Sequence, residues 1–258
     1  MLDALRQRYL HMVKASVGDF LYDFDAKFTR EQQTGFLHVD SQTGARKHIT
    51  DYDELKHNGL IGSNVAHTLI GMERLNQLQQ AVERILEENV PGDFIETGVL
   101  RGGACIFMRA LLWAYQDTTR TVWVADSFAG FPEHNTGRGQ ADPDAEWAAG
   151  LDEVKAIFAR YQLLDEQVRF LPGWFCDTLP EAPIEQLALL RLDGDLYVST
   201  RDALEALYPK VSSGGYVIVD DYYAFEECRL AVREYRKAHG IKAPIQRVDP
   251  VCVYWRKP

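Results

Sequence analysis

Two hydrophobic periods alternate along this chain of 258 residues. Between Val65 and Glu88 the apolar residues Leu69, Met72, Leu75, Leu78, Val82 and Leu86 recur every three or four positions. That is the spacing of one helical face, and Pro91-Gly92 breaks it, so a helix is expected over Val65–Glu88. Beyond it, short apolar runs take turns with amphipathic stretches. Strands are expected at Gly92–Gly98, Thr121–Ser127, Gln167–Gly173, Leu187–Asp193 and Gly214–Asp221. Helices are expected at Gly102–Tyr115, Leu151–Tyr161, Ser199–Val211 and Glu226–Gly240. Strands alternating with helices imply a mostly parallel sheet covered on both faces. The closing segment Ile245–Lys257 reads as a hairpin with no helix inside it, which puts an antiparallel strand at or near the sheet edge. The expected fold class is α/β, a doubly wound Rossmann-like sheet with an antiparallel edge hairpin.

The N-terminal stretch to about Phe20 reads as a helix, whereas Leu21–Ser63 mixes polar and aromatic residues without a sustained period. A segment of that length is either a functional lid or a loosely packed extension. With no internal repeat or linker, a single domain over 1–258 is expected, 1–63 forming the helix and lid region and 64–258 the core.

Composition narrows the partners. Apolar residues make up 46% of the chain, enough for one large core, and the charges are interspersed. The net charge of −10 leaves no basic surface for nucleic acid, so a small-molecule partner is expected. No continuous apolar segment approaches the ~20 residues of a membrane span, and the amphipathic N-terminus lacks the apolar core of a secretory signal. The four cysteines, Cys105, Cys176, Cys228 and Cys252, form no CxxC pair and read as reduced thiols. A cytoplasmic protein is expected. The apolar faces of the first helix and of the helix from Val65 leave room for a homo-oligomer.

The candidate chemistry gathers where strands end. Asp193 and Asp195 follow one apolar run, and Asp220 and Asp221 follow another. Four carboxylates converging on one sheet edge repel each other, and a hard divalent cation relieves that repulsion. The first core strand runs into Glu96-Thr97-Gly98-Val99-Leu100-Arg101-Gly102-Gly103, a glycine turn opening a helix, whose free N–H groups suit an anionic ligand group. Its spacing is not GxGxxG. The second strand ends in Asp126-Ser127, where an acid is placed to accept hydrogen bonds from ribose hydroxyls. The third is followed by Gly173-Trp174, and the indole suits either an adenine ring or the core. A nucleoside cofactor beside a metal fits metal-dependent O-methyl transfer, in which the cation lowers the pKa of a hydroxyl and a carboxylate removes its proton.

Seven segments in order, HTLIGMERLNQLQ, DFIETGVLRGGACIFMRALL, VWVADSFAGFP, VRFLPGWFCDTLP, LRLDGDLY, GGYVIVDDY and CRLAVREYRKAHGI, resemble the macrocin O-methyltransferase family over about Val65–Trp255. The resemblance implies a class I methyltransferase fold, S-adenosylmethionine as cofactor, Mg²⁺, and a sugar hydroxyl of a glycosylated natural product in antibiotic biosynthesis as acceptor. It implies Asp193, Asp220 and Asp221 as metal ligands and Asp195 as general base. It places Glu96 and the turn through Gly98, Val99, Leu100, Arg101 and Gly102 at the methionine part of the cofactor. Asp126 falls at its ribose, Ser127 and the Phe128–Pro132 segment beside the adenosine, and Met72 and His67 in a flanking motif. The stretch between Pro132 and Leu151 is shorter than that family's pattern. A catechol-type acceptor is the nearest alternative. A Mg²⁺-dependent phosphohydrolase is a distant one, since it too carries a DxD motif after an apolar strand. Only one expected helix, however, separates the two acidic motifs here.

Overall fold

The computed structural model describes residues 2–21, 36–39, 46–49, 52–59, 65–133, 137, 139 and 148–258. Helix α1 (Leu2–Val17) leads to a two-stranded antiparallel sheet of β1 (Phe36–Val39) and β2 (Arg46–Ile49), followed by α2 (Tyr52–His57). Ordered elements thus stand inside the stretch expected to lack a period; the remainder of Leu21–Ser63, and most of the stretch between Pro132 and Leu151, lie outside the described residues.

The core then alternates as expected. It comprises α3 (Met72–Glu87), β3 (Asp93–Thr97), α4 (Gly103–Ala114), β4 (Val122–Asp126), α5 (Leu151–Arg160) and β5 (Val168–Pro172). A four-residue helix α6 (Phe175–Thr178) precedes β6 (Leu187–Leu192), α7 (Tyr197–Leu207), β7 (Val211–Val219) and α8 (Glu226–Ala238). The chain closes with β8 (Gln246–Arg247) and β9 (Val253–Arg256). The seven strands lie in the order β5-β4-β3-β6-β7-β9-β8. Those from β3 to β7 pair in parallel, and β9 runs antiparallel to β7 with β8 beside it. This is the doubly wound sheet with an antiparallel edge that the alternation implied.

Period-two burial divides the core between two layers. Phe94, Val122, Val124, Leu189 and Ile218 pack with α1, α3, α4 and α5. Their neighbours Ile95, Trp123, Leu190, Val217 and Val219 pack with α7 and α8. No disulfide joins the cysteines, and Cys105, Cys228 and Cys252 are buried. Among the described residues no helix is long and apolar enough to cross a membrane.

One boundary departs from expectation. The helix begins at Met72, not at Val65. The segment before it is strapped between helix ends: His67 and Thr68 N–H groups donate to the Val17 carbonyl, at 2.8 and 3.1 Å, and Gly103 N–H donates to the His67 carbonyl at 2.9 Å. With those groups engaged elsewhere, helix formation waits for Gly71, which starts α3 in an extended conformation. A Cβ at Gly71 would meet the Gly59 nitrogen and the His57 oxygen at 2.2 Å, so only glycine fits there.

Candidate active site

The order reverses between β3 and β6, the switch point at which an open α/β sheet receives its ligand. The two strand exits touch there. Asp193 N–H donates to the Thr97 carbonyl at 2.9 Å, and a Cβ on Gly98 (φ +88°) would stand 1.8 Å from the Asp193 oxygen. Asp126 locks the turn from below. Its carboxylate accepts Val99 N–H at 2.7 Å and Phe128 N–H at 2.8 Å, joining the exits of β3 and β4, while burial holds its pKa above the usual range against those bonds. Among the described residues, seven non-glycine residues take positive φ. Asp19, Asn89, Gln116 and Gln162 follow helix ends, where that conformation is ordinary. The other three, Leu100, Phe128 and Asp195, follow β3, β4 and β6, so the backbone strain collects at the strand exits.

Beneath the carboxylates runs a buried ladder of alternating charge. Arg191, in the otherwise apolar β6, is 1% exposed and donates to Glu96, Asp193 and Asp220. Arg74 on α3 donates to the other oxygen of Asp220 and to Asp249, which also accepts Val251 and Cys252 N–H at 2.8 and 2.7 Å. Burial pushes Glu96 up to about 7, the Arg191 charge opposing and Asp193 reinforcing the shift; the Cys105 thiol donates to it at 3.0 Å.

Above the ladder, carboxylate oxygens of Asp193, Asp195 and Asp221 lie within 4.8 Å of one another, an arrangement able to hold a metal ion. The Asp195 and Asp221 carboxylates face each other within this cluster. Burial and the Asp193 charge raise Asp195 to about 6. Asp221 is raised further by burial, then by Asp193 and Asp220, and its Oδ2 is buried with no hydrogen-bond partner among the described residues. Such an orphaned anionic oxygen is costly unless a cation meets it. Asp220, expected as a ligand, pairs with Arg74 and Arg191, and the third carboxylate of the cluster is that of Asp195, expected as the general base. Adjacent residues at a strand end point to opposite sides, which sends Asp220 to the arginines and Asp221 to the cluster.

A single cavity of about 810 Å³ joins these parts. Glu96, Gly98, Val99, Leu100, Asp126, Ser127, Gly173 and Trp174 line it together with Asp193, Asp195, Asp220 and Asp221. Four expected cofactor residues do not. Phe128 packs into the core against Phe170. Arg101 turns away to the Ala66 carbonyl and Glu153. A Cβ on Gly102 would press on Val154 and Phe158, so this glycine serves helix packing. Met72 opens α3, and the wall is made by Thr68, Leu69 and Ile70 just before it. His67 lies in that strap, its Nδ1 3.0 Å from the Tyr161 hydroxyl. Phe131 and Pro132, from the segment expected beside the adenosine, line the cavity, and so do Arg74 and Tyr223–Phe225, which were not expected. Only Arg191 carried a warning in sequence, as a lone charge inside an apolar strand that must find buried partners.

A family model described as macrocin-O-methyltransferase (TylF) matches residues 6–257. The 8-demethyl-8-(2,3-dimethoxy-alpha-L-rhamnosyl)-tetracenomycin-C 4'-O-methyltransferase of Streptomyces olivaceus is 54% identical over 200 residues, covering 75% of this chain and 76% of its own. The mycinamicin III 3''-O-methyltransferase of Micromonospora griseorubida is 46% identical over 258 residues, 96% of each chain. The solved structure of the O-methyltransferase NovP matches with a TM-score of 0.83 at 43% identity, covering 98% of this chain and 99% of that one.

Proposed function

The chain belongs to the macrocin O-methyltransferase family, and we propose that it transfers the methyl group of S-adenosylmethionine to a sugar hydroxyl of a glycosylated natural product in antibiotic biosynthesis, assisted by Mg²⁺. The observation that carries this reading is the continuity of one cavity from the Gly98 turn and Asp126 to the aspartate cluster. At the first end, Asp126 has both oxygens anchored by backbone N–H groups yet retains lone pairs for ribose hydroxyls. Glu96, Trp174 and Phe131 line this end; Glu96 would hold the ammonium of the methionine part, and Trp174 and Phe131 the nucleoside.

At the second end, Asp193 and Asp221 would hold the cation; the hard oxygen donors and the orphaned Asp221 Oδ2 suit Mg²⁺. When bound, the cation supplies Lewis acidity that brings an alcohol toward ionisation near neutral pH. Asp195 projects from the β6 exit into the same cavity and takes the hydroxyl proton as the oxygen attacks the methyl carbon and the sulfonium sulfur leaves with its electron pair. A sugar acceptor is favoured over a catechol because the Streptomyces olivaceus and Micromonospora griseorubida relatives are named for positions on sugars. The reading is tested with methyl-labelled S-adenosylmethionine and a rhamnosylated polyketide, with and without EDTA. Label is expected on the sugar and is expected to vanish on chelation; absence of transfer to any glycoside, or transfer indifferent to EDTA, refutes it.

A further inference from the structure

The rim of the cavity holds a residue that local physics opposes twice. Phe225 is the N-cap of α8, where Ser, Thr, Asp or Asn would satisfy an orphan N–H group, and its side chain makes no capping bond. It is also 48% exposed, although it lines the cavity. An aromatic ring that neither caps its helix nor packs into the core points to a role outside folding. Its position is fixed relative to the carboxylates: the Asp221 carbonyl accepts both Ala224 N–H at 3.1 Å and Phe225 N–H at 3.0 Å, so the ring stands one tight turn beyond Asp221. The neighbouring Tyr223 is held between the Arg229 and Arg247 guanidinium groups, 6.0 and 4.7 Å from its ring. The only other large apolar residue that is both exposed and on the cavity among the described residues is Phe131, which follows β4 on the cofactor side.

We infer that Phe225 is a specificity-determining residue that takes the apolar aglycone of the acceptor. This deepens the proposed function and rests on it. A glycoside whose reacting hydroxyl reaches Asp195 has its remaining bulk directed out past the Asp221 turn, and the half-exposed ring offers an apolar face there. Covering the ring removes apolar surface from water, and a planar aglycone adds stacking.

The inference predicts opposite effects of one substitution. Phe225→Ser restores a favoured N-cap and removes an exposed ring, so the melting temperature should rise by about 1–4 °C. The same change should raise KM for a glycosylated polyketide by about ten-fold or more, with kcat within about two-fold and S-adenosylhomocysteine affinity unchanged. Phe225→Tyr should keep KM near the wild-type value. An unchanged KM in Phe225→Ser overturns the inference. So does a falling melting temperature, which would show that the ring packs for stability, or a parallel loss of S-adenosylhomocysteine affinity, which would show a general distortion. Wild-type inactivity on every glycoside refutes the functional reading itself and takes the inference with it, an outcome distinct from an unchanged KM.

Discussion

Asp195 differs from the other aspartates of the cluster in its backbone. It takes φ +55°, a left-handed conformation uncommon outside glycine and most accessible to Asp and Asn among the rest, at the turn that follows β6. Asp195→Asn keeps the shape and removes the proposed base. Turnover should fall by about 10²–10⁴-fold, while S-adenosylhomocysteine binds within about two-fold of the wild type by calorimetry. Undiminished turnover would remove Asp195 from the chemistry. Glu96 gives a prediction about stability with a definite sign. Its folded pKa is raised by burial from 4.5 to about 7, so its contribution to stability is complete below about pH 4.5 and is lost as pH rises through 7. Glu96→Gln, a neutral mimic of the protonated form, removes that titration. The variant should gain on the wild type by at most about 1.4 kcal/mol per pH unit between pH 4.5 and 7, and no further above it. Urea melts of both proteins across that range measure the difference, and parallel curves would contradict the shift. Arg191, between Glu96 and Asp193, explains why these carboxylates tolerate one another: each has a share in a buried guanidinium.

Among the elements, the loops after strands carry the most stringent requirements, and glycine shows how they differ. Gly98→Ala would force a Cβ to within 1.8 Å of the Asp193 oxygen at positive φ, which separates β3 from β6, and little folded protein is expected by circular dichroism. Gly150→Ala, at the start of α5 with φ −68° and nothing within 4 Å of the added Cβ, should move the melting temperature by no more than about 2 °C. A tolerated Gly98→Ala would deny the close contact of the two strand exits. These elements were legible in sequence to unequal degrees. Strands β3 to β7 follow from apolar runs, and their carboxyl-end acids fall at the site because parallel strands all exit on one side. The start of α3 was not legible: Leu69 fits the helical period, but distant groups, Val17 and Gly103, claim the strap's hydrogen bonds. Nor did the glycine turn reveal which of its residues face the ligand. Leu100 lines the cavity while Arg101 and Gly102 turn toward α5. The pairing of Asp220 with arginines from α3 and β6 depends on contacts 146 and 29 residues away, which no local pattern contains.

At the scale of the whole molecule, part of the net charge of −10 gathers in one consequential place. Around the cavity floor, Glu96, Asp193, Asp195, Asp220, Asp221 and Asp249 face two guanidinium groups among the described residues, those of Arg74 and Arg191. Burial first, and then the neighbouring carboxylates, raise the pKa values of Asp193, Asp195 and Asp221, so protons compete for the place of missing positive charge. A dication that binds the folded cluster and not the unfolded chain should therefore stabilise the protein before any cofactor arrives. Saturating Mg²⁺ at about 100 times its Kd adds about 2.7 kcal/mol, which for a chain of this size raises the melting temperature by about 5–10 °C. Two controls separate site binding from screening. Potassium chloride at matched ionic strength should give little of the rise, since Debye screening acts weakly on buried charges. Asp221→Asn, which neutralises the orphaned oxygen, should start from a higher melting temperature than the wild type in EDTA and gain little from Mg²⁺. If magnesium and potassium salts act alike, or if Asp221→Asn responds to Mg²⁺ as the wild type does, the cluster is a charge reservoir balanced by protons, and the metal has no place in the methyl transfer.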